Sequence, residues 1–220
     1  MAEAAGLQLD YSKHLLDGDS LADLLTLAAQ AGVSDGLQAM LSGAHINNTE
    51  DRPALHTLLR ASSDAGLPEL YREVSAARDR MQAIAQELGG SHHIGFAGEP
   101  ISDVVNIGIG GSDLGPRLVT QALTPFHGII RCHYVANVDP SDLQEVLANL
   151  RPATTLFVIC SKSFRTEETL SNGLAARDWM LQSGASEADL AKHFLAVSSN
   201  IEAAVSFGIA EENCLPMWDW

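Results

Sequence analysis

The stretch VVNIGIGGSDLGP, residues 104–116, decides the fold. It opens on a short apolar run and passes directly into Gly108, Gly110, Gly111 and Ser112. A run that is apolar on both faces reads as a strand inside a parallel sheet, not as a strand with one wet face. Glycines at its end remove Cβ atoms where the chain leaves the strand and must come close to a ligand. A helix beginning there points its free N–H groups back at the loop. Outward from this stretch the pattern repeats. IIRCHYVANV (129–138), TTLFVICS (154–161) and HFLAVSS (193–199) are further strand runs. The segments 115–123, 140–150 and 166–181 between them suit helices. This alternation predicts an α/β fold, a parallel sheet flanked by helices, whose loops at the carboxyl ends of the strands carry the function.

The first 90 or so residues read differently, as an all-helical segment. Leu21, Leu24, Leu25, Leu27 and Ala28 recur at helical spacing behind Asp19 or Ser20 as a cap. Residues 51–60 suggest a second helix with Pro53 in its first turn, and His56 on its apolar side reads as a core histidine. A third helix runs from about Leu67 to Leu88 and stops at Gly89-Gly90. The stretch GGSHHIGFAGEPISD, 89–103, is the candidate linker.

Thirteen basic residues against 28 acidic ones give a net charge of -15, a surface that repels nucleic acid and anionic membranes. Any anion-binding pocket must therefore create its own local positive potential. Cys132, Cys160 and Cys214 form no C-x-x-C pair, and the start MAEAAGLQLDYSKHLL lacks the pattern of an export signal. Reduced thiols and a cytoplasmic location are expected. No uninterrupted apolar stretch approaches membrane-spanning length.

Two motifs carry chemistry. In NIGIGGSDLGP the dinucleotide fingerprint G-x-G-x-x-G fails, because Asp113 holds the final glycine position, and no G-K-[ST] follows for a Walker loop. The second motif, SKSFRTEETLSN (161–172), places the hydroxyls of Ser161, Ser163 and Thr166 at a strand-to-helix junction, with Lys162 and Arg165 among them. Hydroxyls and uncapped N–H groups suit the terminal oxygens of a phosphate dianion. Taken singly, the first loop is also what a tight turn without a ligand looks like, and the second what an ordinary capped helix looks like. Both follow strands and open helices, which puts them on one edge of one sheet.

Together with SGAHINNTEDRPALHTLLR (42–60) and the closing LPMWDW, these motifs resemble the glucose-6-phosphate isomerase family, in order from about residue 40 onward. The resemblance implies a helical extension over residues 1–95 and a first sugar-isomerase (SIS) domain over 96–220. It implies interconversion of glucose 6-phosphate and fructose 6-phosphate without a metal or redox cofactor, in a homodimer. It assigns Gly111 and Ser112 to the bound sugar phosphate, and Ser161, Lys162, Ser163, Phe164, Arg165 and Thr166 to a phosphate loop. The family pattern has threonine where Ser163 and Arg165 stand; Ser163 keeps the hydroxyl and Arg165 does not. In the family a Gly-Gly-Arg segment, the general-base glutamate, the ring-opening histidine and a helper lysine lie beyond the tryptophan matched by Trp220. No catalytic group of that set is therefore expected within these 220 residues, and weak phosphosugar binding at most, without turnover, is the expectation. A phosphosugar-sensing SIS module that regulates a partner would use the same two loops. It would also need an attached partner-binding domain, and residues 1–90 hold no basic helix-turn-helix candidate.

Overall fold

In the computed structural model, which describes residues 1–220, a hairpin and three helices precede a regular alternation of strands and helices. The chain divides into two units, Met1–Tyr71 with Trp220, and Arg72–Asp219. No helix is long and apolar enough to cross a membrane.

The first unit departs from an all-helical reading. Strands β1 (Ala2–Ala4) and β2 (Leu7–Leu9) pair antiparallel around Ala5 and Gly6. Both turn residues have positive φ, 50° and 75°, the two-residue turn whose twist suits a hairpin. Helix α1 (Gly18–Gln30) starts one turn earlier than the leucine spacing suggests, because Asp17 supplies the cap by accepting the Ser20 N–H at 2.8 Å. A short helix α2 (Val33–Leu41) follows. The helix expected over 51–60 is absent except for one 3-10 turn at Leu58–Arg60. Asn47 and Arg52 instead close a two-way backbone pair at 3.1 and 3.2 Å around Asp51, whose φ is +50°. Pro53 then holds Arg52 away from helical geometry. His56 is exposed, so it is not a core histidine.

The second unit takes in all but the first turn of α3 (Pro68–Gly89), followed by β3 (Asp103–Ile107), α4 (Gly111–Ala122), β4 (Arg131–Val135), α5 (Pro140–Leu147), β5 (Thr155–Cys160), α6 (Glu167–Gln182), β6 (Phe194–Ser198), α7 (Ile201–Phe207) and β7 (Cys214–Pro216). The five strands form one sheet in the order β4-β3-β5-β6-β7, every pair parallel. The three-residue β7 is too short to carry a sequence signal, and its Pro216 is tolerated because it sits on an edge strand.

Alternation along the strands sends side chains to two cores. Val105, Ile107, Phe157, Ile159 and Ala196 meet Leu143 of α5 and Ala176 and Met180 of α6. Leu156 and Leu195 turn to the other face, with Ile84 of α3, Ile101 and Leu215. The chain leaves β3 for β4 on one side and returns to β5 on the other. The loops after β3 and β5 thus part company where the strand order reverses, which is where parallel sheets open a crevice.

Candidate functional site

That crevice holds a cavity of about 430 Å³ lined by Ile109, Ser112, Cys160, Ser161, Lys162, Ser163, Thr166, Thr169, Ser199 and Asp219. The two motifs meet there. Ser112 arrives on the second residue of α4, and Thr166 and Thr169 bracket the first turn of α6, so two helix starts border one space. Each brings the positive end of a macrodipole, and α6 also brings free first-turn N–H groups, whereas at α4 the Ser112 and Asp113 N–H groups donate to the Ile109 and Gly110 carbonyls at 3.1 Å.

The loop after β3 is shaped by two glycines. Gly110 sits at φ 59°, ψ -117°, a conformation that a residue with a Cβ does not adopt without strain, and it turns the chain into α4. A Cβ on Gly108 would lie 2.8 Å from both Cβ and carbonyl oxygen of Ser112 and 3.0 Å from the Cys160 carbonyl. Gly108 therefore lets the two loops approach each other. Asn106 ties them: its Nδ2 donates to the Ser112 carbonyl at 3.0 Å and its Oδ1 accepts from the Cys160 thiol at 3.1 Å. Burial pushes that thiol up to about 12, so Cys160 forms part of the cavity wall as a neutral thiol. Asp113, the residue that argues against a dinucleotide loop, is buried and bound by the Arg117 guanidinium at 2.8 to 3.2 Å, so its charge is closed off locally.

In the second loop, Ser161 and Thr166 face each other at 3.3 Å through their hydroxyl oxygens. Thr166 occupies the N-cap of α6 but makes no capping bond, so its hydroxyl stays with Ser161 beside the cavity and does not serve the helix backbone. Lys162 Nζ lies 3.2 Å from Asp219 Oδ1 across the mouth. Of the eight residues that the sequence nominates, Ser112, Ser161, Lys162, Ser163 and Thr166 line the cavity. Gly111 lies outside the lining as the first residue of α4. Phe164 turns inward at φ 51° and packs edge-on against Phe207 at 5.7 Å, anchoring the loop. Arg165 is exposed and outside the lining.

Five lining residues were not nominated: Ile109, Cys160, Thr169, Ser199 and Asp219. Thr169 is the most informative: only 1% exposed, its Oγ1 is one of two buried side-chain polar atoms without a hydrogen-bond partner. It stands three residues after Thr166, on the same helix face, and that spacing was the available signal. Ser199 and Asp219 come from loops distant in sequence, and no local pattern marks them.

Comparison with known proteins shows the family. The family model described as phosphoglucose isomerase matches residues 10–220. The chain is similar to glucose-6-phosphate isomerases of Saccharophagus degradans, 50% identical over 218 residues, and Hahella chejuensis, 49% identical over 222. Each match covers 99% of this chain and 40% of the relative, so the chain spans about two fifths of the length of these proteins. A crystal structure of a glucose-6-phosphate isomerase from Chlamydia trachomatis superposes with a TM-score of 0.74 at 27% identity, over 93% of this chain and 39% of that one. With its family match running through both loop motifs and nearly the whole sequence, this chain belongs to the phosphoglucose isomerase family.

Proposed function

We propose that this chain supplies the phosphate-holding part of an aldose–ketose isomerase acting on glucose 6-phosphate and fructose 6-phosphate, in which residues 1–95 are an N-terminal extension, helical apart from its opening hairpin and the 42–57 loop, and 96–220 the first SIS domain. The observation that carries the reading is the convergence of Ser112 with Ser161, Ser163, Thr166 and Thr169 on one cavity. Five hydroxyls and two helix starts suit a dianionic phosphoryl group, whose oxygens accept several short hydrogen bonds at once. Gripping the phosphate fixes where C1 and C2 of the sugar lie, which is the orientation part of catalysis.

Isomerisation also needs a base to carry a proton between C2 and C1 through an enediol, and an acid to open the ring. The one carboxylate of the lining, Asp219, is paired with Lys162. On this reading base and acid come from elsewhere in the full-length homodimeric protein, and the 220-residue chain binds phosphosugar without turning it over. Calorimetric titration with glucose 6-phosphate and inorganic phosphate, beside a coupled isomerase assay, tests both halves. Saturable binding of both ligands with no turnover is expected. Absence of binding refutes the phosphate site, and turnover at ordinary enzymatic rates refutes the assignment of the catalytic groups to other parts of the protein.

A further inference from the structure

The loop that follows β5 does not hold its own shape. The Lys162 carbonyl accepts three hydrogen bonds from the end of β6 and the turn after it: Ser198 Oγ at 2.9 Å, Ser199 N–H at 2.9 Å and Ser199 Oγ at 2.8 Å. The next carbonyl, that of Ser163, accepts from Asn200 Nδ2 at 3.1 Å. Asn200 is itself fixed, its N–H donating to Ser198 Oγ at 3.0 Å and its Oδ1 accepting the Ala203 N–H at 3.1 Å. Two consecutive peptides of the loop are therefore oriented from outside it.

A trans peptide is planar, and its C=O and N–H point in opposite directions. Holding the Lys162 carbonyl against the β6 turn sends the Ser163 N–H the other way, and no acceptor in the protein takes it. Holding the Ser163 carbonyl aims the Phe164 N–H at the Ser161 carbonyl, which it reaches at 3.2 Å, closing a turn with Phe164 at φ 51°. A bulky residue with positive φ is a strained conformation that surrounding contacts must maintain.

We propose that Ser198 and Asn200 are positioning residues for anion binding: they fix these two peptides so that the Ser163 amide is presented to the phosphoryl group as a donor beside the loop hydroxyls. The proposal rests on the cavity being the phosphate site. Neither residue needs to touch the ligand, since neither lines the cavity and Ser198 is fully buried. A donor aimed before the anion arrives costs no reorganisation on binding.

The test uses the 220-residue chain with inorganic phosphate and glucose 6-phosphate as probes. Ser198→Ala removes one of the three bonds to the Lys162 carbonyl and the acceptor of the Asn200 N–H. Asn200→Ser keeps a neutral helix-capping residue and removes the donor to the Ser163 carbonyl. Each variant is expected to weaken inorganic phosphate by about tenfold, the equivalent of one hydrogen bond, and glucose 6-phosphate by the same factor. In amide NMR spectra of the wild type, the Ser163 proton should move downfield as phosphate is added, and this movement should shrink in both variants. A merely structural role would lower the thermal midpoint and leave affinity per folded molecule unchanged; that result overturns the proposal. So does wild-type phosphate binding that leaves the Ser163 amide unmoved, while the phosphate-site reading survives. If Ser198→Ala fails to fold, Asn200→Ser and the wild-type amide titration decide. Wild-type chain that binds neither probe removes the phosphate site and this inference together.

Discussion

Thr169→Val should move stability and binding in opposite directions. Valine has nearly the shape of threonine, so the change replaces one hydroxyl by a methyl at a site that is 1% exposed. No other group of the chain partners that hydroxyl. An unsatisfied buried polar group costs about 1–3 kcal/mol. Water entering the adjoining cavity relieves part of that cost, so the lower end applies and a gain of about 1 kcal/mol is expected. For a domain of this size that raises the melting temperature by about 2–4 °C. In the phosphate-bound protein the same hydroxyl becomes a donor to an anion, a bond of about 1.5–3 kcal/mol, so the variant should bind inorganic phosphate about tenfold to a hundredfold more weakly. Differential scanning fluorimetry and calorimetric titration of the same preparations read the two effects. Thr169→Ser is the control: it keeps the oxygen and loses a methyl, so affinity should hold while stability falls by about 1 kcal/mol. Wild-type affinity in the valine variant would show that the hydroxyl does not bind phosphate, and a lowered melting temperature would show that it had a partner all along.

Gly108→Ala should abolish phosphate binding, because the new Cβ would sit 2.8 Å from Ser112 and force the two loops apart; unaltered affinity by calorimetry would refute the close-approach argument. His193 is buried with its Nε2 accepting the Phe96 N–H at 2.9 Å and its Nδ1 at 2.6 Å from the Thr155 carbonyl, which requires the neutral ring, and desolvation first of all lowers its pKa. A lowered histidine pKa contributes stability that is complete above its unfolded value near 6.5 and is lost as pH falls, by at most about 1.4 kcal/mol per pH unit, so urea midpoints should drop between pH 7.5 and 5.5 and a flat profile would contradict this. Burial alone would raise the pKa of Asp103, but hydrogen bonds from Arg131, Ser102 and His133 outweigh it and hold the carboxyl at about 2. Asp103→Asn should therefore cost about 2–4 kcal/mol in urea denaturation at pH 7, and a loss below 0.5 would show that the cluster contributes little.

The sheet was legible because its strands are buried on both faces and therefore apolar throughout, as at Val104–Ile107 and Leu156–Cys160. The glycine loop and the hydroxyl loop were legible because each packs its chemistry into a few consecutive residues. What escaped notice has non-local causes. The helix suggested by residues 51–60 was overridden by the backbone pairing of Asn47 with Arg52, a tertiary choice that composition does not record. Phe164 belongs to a binding motif by sequence, yet its side chain answers to Phe207, 43 positions away. His56 and His193 are alike as letters; only the fold decides that the second is enclosed by Phe96 and Thr155. Asp219 and Ser199 reach the cavity because β6 and the segment after β7 end at the same sheet edge.

The charge arrangement around the cavity explains how an acidic chain can hold an anion. With a net charge of -15, a field of long range would exclude phosphate rather than collect it. The two formal charges of the lining, Lys162 and Asp219, are closed in a pair, as is Asp113 with Arg117 behind the first loop, while Arg165, Glu167 and Glu168 are exposed outside the lining. What remains facing the cavity is mostly neutral, the hydroxyls of Ser112, Ser161, Ser163, Thr166 and Thr169 and the starts of α4 and α6. Such donors act over hydrogen-bonding distance only, so they reward a ligand whose oxygens fit and give no general attraction to anions. A guanidinium cluster would attract phosphate more strongly, but it would also attract the acidic surfaces of other copies of the chain. Hydroxyls and helix starts avoid that conflict, and they require the rigid support that Asn106 gives one loop and the β6 turn gives the other.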